Sequence, residues 1–174
     1  MMINTDIKDN SLSIYLHIPF CQTKCPYCDF NTYASIESLI PNYIKALNSE
    51  IQFWGTSLNN PTLHTIFFGG GTPSYLPERH IESILNQIYK FFKINKSPEI
   101  TMECNPNDIY KEKLSQLLTM GVNRLSIGVQ SLDNKLLTTL GRRHSSEEAL
   151  AALSMARETG FNNISLDFMY GLPT

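Results

Sequence analysis

Apolar, β-prone runs alternate along this chain with stretches whose apolar residues recur at helical spacing. Leu12 to Ile18 (LSIYLHI) reads as a strand, and a loop rich in cysteine follows it. Ile40, Ile44, Leu47, Ile51 and Trp54 then repeat at four-three-four-three spacing, one face of a helix, with Pro41 at its start where a missing N–H costs nothing. Thr65 to Phe68 predicts a second strand ending in Gly69-Gly70-Gly71, and Ile81, Ile84, Leu85, Ile88 and Phe91 mark a second helix. Glu99 to Glu103 predicts a third strand, and Leu114, Leu117 and Leu118 a helix that Gly121 would cap. Arg124 to Val129 is the fourth strand. Ser145 and Glu148 stand at capping-box spacing before a helix carrying Ala149, Leu150, Leu153 and Ala156, which Gly160 closes. Asn163 to Phe168 is the fifth strand.

Strand–helix alternation with short connections predicts an α/β fold with a parallel sheet. The loops after parallel strands all open on one end of the sheet, so functional groups should gather there. The cysteine loop, the triple glycine, Glu103, Gln130 and Asp167 all fall at strand carboxyl ends.

Composition narrows the picture. The chain has 174 residues, 42% hydrophobic, enough for one core of ordinary domain size. Its formal net charge is -2 and no basic block stands out, so the footprint of a nucleic-acid binder is missing. No apolar run approaches the roughly 18 residues of a membrane helix. Residues 1–10 are polar, without a basic stretch followed by an apolar one, and read as an N-terminal tail before a domain over 11–174. The expected location is therefore the cytoplasm, where clustered cysteines mean metal more often than disulfides.

Three of the four cysteines, Cys21, Cys25 and Cys28, lie within eight residues in HIPFCQTKCPYCDF. Three thiolates at x3 then x2 spacing can wrap one cubane iron–sulfur cluster, each on a different iron. A 4Fe–4S cluster normally takes four cysteines, so three leave one iron open, the mark of a catalytic centre rather than a structural one. The competing assignments are a zinc site completed by Cys104 or His17, and buried free thiols. Zinc motifs pair C-x2-4-C units across a longer spacer, which this loop does not do. The four histidines, His17, His64, His80 and His144, show no ligand spacing.

The CxxxCxxC loop resembles that of the radical S-adenosylmethionine superfamily. Within it, HIPFCxxxCPYCDF is similar to the HemW-type haem chaperones and their relatives, the oxygen-independent coproporphyrinogen oxidases, in one register from Tyr15 to Pro173. The resemblance implies a partial (β/α) barrel, a 4Fe–4S cluster on Cys21, Cys25 and Cys28, and S-adenosylmethionine on the open iron. Taken alone, Gly69-Gly70-Gly71-Thr72-Pro73 is a tight turn. The resemblance makes Gly70, Gly71 and Thr72 contacts of the methionine amino group. It likewise implies cofactor roles for Glu103, Gln130, Arg142 (whose planar fork suits a carboxylate) and Asp167. For Tyr15 a cofactor contact and core packing both stay open, and Cys104 reads as packing. Arg143 could be mistaken for Arg142; the alignment favours Arg142.

The resemblance implies radical chemistry begun by one-electron cleavage of S-adenosylmethionine, the protein supplying orientation and exclusion of side reactions. The coproporphyrinogen oxidases carry a fourth cysteine two residues after the third; here Phe30 stands there, and Tyr15 comes early. Both features favour the HemW-type group, which binds haem and delivers it to acceptor proteins, drawing electrons from a flavodoxin or ferredoxin. Coproporphyrinogen decarboxylation is the alternative. The family continues past GLP with a further strand–helix unit and a C-terminal domain, and with GLPxQT where this chain has Gly-Leu-Pro-Thr. The expectation is thus a core truncated after about the fifth strand, with an inactive fragment as a third reading.

Overall fold

The computed structural model describes residues 11–172. The expected tail over 1–10 and the last two residues lie outside the described residues. The elements, in chain order, are β1 (Ser11–Ile18), β2 (Phe20–Cys21), β3 (Tyr33–Ala34), α1 (Ile40–Ser57), β4 (Thr62–Gly70), α2 (Glu78–Phe91), β5 (Lys93–Cys104), α3 (Lys111–Thr119), β6 (Arg124–Gln130), α4 (Asn134–Thr139), α5 (Ser146–Thr159) and β7 (Asn163–Phe168). β1, β4, β5, β6 and β7 form one all-parallel sheet in that order, and β2 pairs with β3 inside the cysteine loop. This is the α/β fold with a parallel sheet that the alternation predicts, and the partial (β/α) barrel that the resemblance implies.

One face of the sheet is apolar and carries the core. Leu16, Ile18, Leu63, Ile66, Phe68, Ile100, Met102, Leu125, Ile127 and Val129 pack there against Ile40, Ile44 and Ile51 of α1, Ile81, Ile84, Leu85 and Ile88 of α2, Leu114 and Leu117 of α3, and Ala149, Ala152 and Ala156 of α5. Each fully buried isoleucine or leucine stabilises the fold by about 1.5–3 kcal/mol through loss of apolar surface. The other face alternates with the first and is largely polar. Register aligns Tyr15, Phe67, Thr101, Arg124 and Asn163 across it, and Glu103, Ser126 and Ser165 one step nearer the carboxyl ends.

Several details differ from the sequence pattern. β4 begins at Thr62, not Thr65, because the register shifts between Leu63 and Thr65. That bulge turns His64 outward and lets Leu63 and Ile66, three apart, both face the core. β5 begins at Lys93, but its pairing jumps from Ile94 to Glu99, so Asn95–Pro98 breaks the alternation. The inner face of α1 passes through Gly55 rather than Trp54. A Cβ at Gly55 would come within 2.6 Å of the Phe91 backbone, whereas Trp54 is 40% exposed and packs edge-on against Phe53. In α5 the buried residues are Ala149, Ala152 and Ala156, and Leu150 is 54% exposed. The capping box is present, with Ser145 accepting from the Glu148 N–H and Glu148 from the Ser145 N–H. Among the described residues no helix is long and apolar enough to cross a membrane.

Candidate functional site

The cysteine loop is pinned to the sheet from several sides. The Tyr33 N–H donates to Pro19 O (2.8 Å), joining β3 to the end of β1, and Tyr43 of α1 donates its hydroxyl to the His17 carbonyl. His17 Nε2 lies 2.9 Å from the Asn31 carbonyl, which can only accept. Nε2 therefore carries the proton, and Nδ1 accepts from the Tyr15 hydroxyl at 3.1 Å. One histidine thus links the first strand to the far limb of the loop.

The glycine turn after β4 runs against the same loop. Gly71 N–H donates to Ile18 O (2.8 Å) and Thr72 N–H to Phe20 O (2.9 Å). A Cβ on Gly71 would lie 2.8 Å from Phe20 O, 2.9 Å from Ile18 O and 3.1 Å from Cys21 Sγ, so only glycine permits this approach. Gly70 has φ +114° and backs onto the His17 ring. Its N–H points to Glu103, which accepts at 3.0 Å. Burial pushes the Glu103 carboxyl above its ordinary range and the nearby Asp167 charge pushes the same way, while the Gly70 N–H and His17 oppose them.

All three loop cysteines line one open cleft, together with Gly70, Gly71, Thr72, Glu103, Gln130, Arg142 and Asp167. Each sulfur has its own polar neighbour: Thr72 donates to Cys21 Sγ at 3.4 Å, Arg142 to Cys25 Sγ at 3.7 Å, and Thr32 Oγ1 is 4.0 Å from Cys28 Sγ. Among the described residues no three histidine, cysteine or acidic side chains converge on one ion-sized position. Cys104 also borders the cleft, but its thiol turns toward Met102 O (3.6 Å) and burial pushes it up to about 12. At 5% exposure and with its thiol turned inward, it packs in the core.

At the end of β6 the register shifts between Gly128 and Gln130, and Gln130 takes φ +69°. A non-glycine residue in the left-handed region stores backbone strain, and here it falls at the bulge where Gln130 lines the cleft beside Gly128. Arg142 donates to Gly128 O (2.6 Å) and to the Tyr27 hydroxyl (3.4 Å), and its buried Nε has no partner among the described residues. Asp167 accepts from Ser126 Oγ at 3.1 and 3.2 Å.

The two adjacent arginines both border the cleft and both reach the cysteine loop: Arg142 donates to Cys25 Sγ, whereas Arg143 donates to Gln22 and pairs with Asp108 at 2.8 Å. Tyr15 does not line the cleft. It is 58% exposed on the polar sheet face and stacks on Phe67, ring centroids 6.0 Å apart. Cleft residues that motif reading passes over include Asn105, Ser126 and Gly128. Ser126 and Gly128 had a signal, since alternation along β6 puts them on the face of Gln130.

A family profile described as Radical SAM superfamily matches residues 15–174. The chain is 43% identical over 162 residues to the heme chaperone HemW of Bacillus subtilis (strain 168), covering 92% of this chain and 43% of the relative. It is 38% identical over 167 residues to the heme chaperone HemW of Haemophilus influenzae, covering 93% and 44%. Among solved structures, coproporphyrinogen III oxidase (HemN) from Escherichia coli, a radical SAM enzyme, superposes with a TM-score of 0.90 at 33% identity, covering 97% of this chain and 39% of that one. The chain thus spans less than half the length of these relatives. With a profile match over nearly all its residues and a fold shared with a radical SAM enzyme at 33% identity, the chain belongs to the radical SAM superfamily.

Proposed function

We propose that this chain is the cluster- and cofactor-binding part of a haem chaperone: Cys21, Cys25 and Cys28 hold a 4Fe–4S cluster, and S-adenosylmethionine binds beside it. The observation that carries the binding part is the gathering of three separated thiols, an arginine with an unpartnered buried Nε, and the Gly70–Thr72 turn around one cleft. Three thiols at x3 then x2 spacing on one cleft suit a cluster, where each meets its own iron, better than the paired C-x2-4-C units of a zinc site. Arg142 would take the cofactor carboxylate, the Gly70–Thr72 backbone and Glu103 its amino group. Gln130 and Asp167 would face the rest of the ligand, and Tyr15 would support Glu103 from the sheet face. When bound, the two cofactors supply one-electron chemistry. The residues' part is to orient the ligand and to keep water and oxygen from the thiols, to which Phe20 and Tyr27 contribute.

The chaperone assignment is supported by the names of the HemW relatives and by Phe30 in place of the oxidases' fourth cysteine. Haem is then the cargo, with haem-acceptor proteins and a flavodoxin- or ferredoxin-type reductant as partners in the cytoplasm. In this proposal residues 11–174 belong to the radical SAM core. Coproporphyrinogen decarboxylation is the second reading, favoured by the likeness to the Escherichia coli HemN structure. The test presents reconstituted protein with haem and, separately, with coproporphyrinogen under reducing conditions. Stoichiometric haem uptake without porphyrinogen turnover supports the chaperone; turnover without haem retention overturns it.

A further inference from the structure

Asp108 lies one turn beyond the end of β5, outside the cleft, yet the glycine turn and the arginine loop contact it directly and the cysteine loop reaches it through Arg143. Its side chain is only 8% exposed. One carboxylate oxygen accepts from Arg143 at 2.8 Å, and the same guanidinium donates to Gln22, next to Cys21 in the cysteine loop. The other oxygen accepts from the Ser74 hydroxyl at 3.4 Å. Ser74 is fully buried just past the glycine turn, and its hydroxyl accepts from the Asn105 N–H at 3.0 Å. Lys113 of α3, also buried, donates to the Ser74 and Leu76 carbonyls at 2.6 and 2.9 Å.

We propose that Asp108 is a positioning residue that, through Arg143 and Ser74, locks the cysteine loop, the glycine turn and the arginine loop into one register. It would touch neither cluster nor cofactor. The proposal rests on the cluster-and-cofactor reading above. The physical reason is geometric. Arg143 has a rigid fork of donors, so pairing with Asp108 fixes the direction in which its remaining donors meet Gln22. Asp108 bound to Ser74 on its second oxygen cannot swing with the arginine loop. A buried arginine–carboxylate pair with both oxygens satisfied ties its elements together even where it adds little net stability. Partners hydrogen-bonded directly to a metal ligand change metal affinity by about 10- to 100-fold when lost, and Asp108, acting through Arg143 and Gln22, falls at the lower end of that range.

The test compares the chain with its Asp108→Asn and Gln22→Ala variants after anaerobic reconstitution. Three quantities are read: iron release to a chelator, S-adenosylmethionine affinity by equilibrium dialysis, and the thermal midpoint before reconstitution. Asp108→Asn should release iron at least about tenfold faster and bind S-adenosylmethionine correspondingly more weakly. Gln22→Ala changes an exposed loop residue and should speed release with its midpoint unchanged. Wild-type retention and affinity in Asp108→Asn overturns the proposal, as does iron loss that merely follows loss of folded protein. Should Asp108→Asn not fold, wild-type release from Gln22→Ala overturns it. Failure of the unsubstituted chain to take up iron and sulfide overturns the cluster reading itself and the proposal with it.

Discussion

Gly71→Ala adds one methyl group at the tightest point between the glycine turn and the cysteine loop. The new carbon would sit 2.8 Å from Phe20 O and 2.9 Å from Ile18 O, both backbone atoms that cannot rotate away. Relief requires the turn and the loop to part, which lengthens the Gly71–Ile18 and Thr72–Phe20 hydrogen bonds, now 2.8 and 2.9 Å. Overpacking of this type costs about 1–3 kcal/mol, and each weakened bond about 0.5–1.5 kcal/mol. Because the two effects share one displacement, a loss of about 2–4 kcal/mol is expected. For a chain of this length that lowers the thermal midpoint by about 5–15 °C. Urea denaturation of the cluster-free protein measures it directly, with the midpoint falling and the slope unchanged. Iron incorporation should fall as well, because the third close neighbour of the added carbon is Cys21 Sγ at 3.1 Å. A variant within about 0.5 kcal/mol of the parent would refute the close-approach reasoning.

Other perturbations should separate the core from the cleft. Ile84→Ala empties a fully buried site under the sheet and should cost about 2–5 kcal/mol by denaturation, with iron per folded chain unchanged. Arg142→Lys keeps the charge but cannot reach Gly128 O, Cys25 Sγ and a ligand carboxylate together, so S-adenosylmethionine affinity by equilibrium dialysis should fall about tenfold or more. His144 is buried, donates Nε2–H to Val129 O, and has its pKa lowered below the ordinary 6.5, mainly by burial. The unfolded chain therefore binds the proton first, and stability is lost as pH falls below 6.5. His144→Gln should flatten that part of the urea-derived stability profile; an unchanged slope contradicts the assignment.

The strands and most helices were legible because their periodicities are strong and local. What was missed is instructive. α4 is six residues long, too short for a helical repeat to register, and its sign was only Asp133, whose side chain accepts from the Lys135 and Leu136 N–H groups. The start of β5 was hidden because Asn95–Pro98 interrupts the pairing. Trp54 and Leu150 were assigned inward because hydrophobicity alone cannot say that a helix approaches its neighbours through Gly55 or Ala149. The cysteine loop is a contiguous motif and stood out at once. The Arg143–Asp108 pair joins residues far apart in sequence with no motif to link them. The bulge that gives Gln130 its positive φ is equally silent in sequence, since glutamine there carries no turn signature.

The most direct measurement is electron paramagnetic resonance of the oxygen-protected, reconstituted and reduced chain, with iron and sulfide counted on the same sample. About four irons and four sulfides per chain are expected, with a spectrum that changes when S-adenosylmethionine is added. Replacing Cys21, Cys25 and Cys28 together by serine should abolish both the metal and the signal. Metal that survives the triple replacement, bound zinc without sulfide, or a spectrum indifferent to S-adenosylmethionine would contradict a three-thiolate cluster with one iron left open.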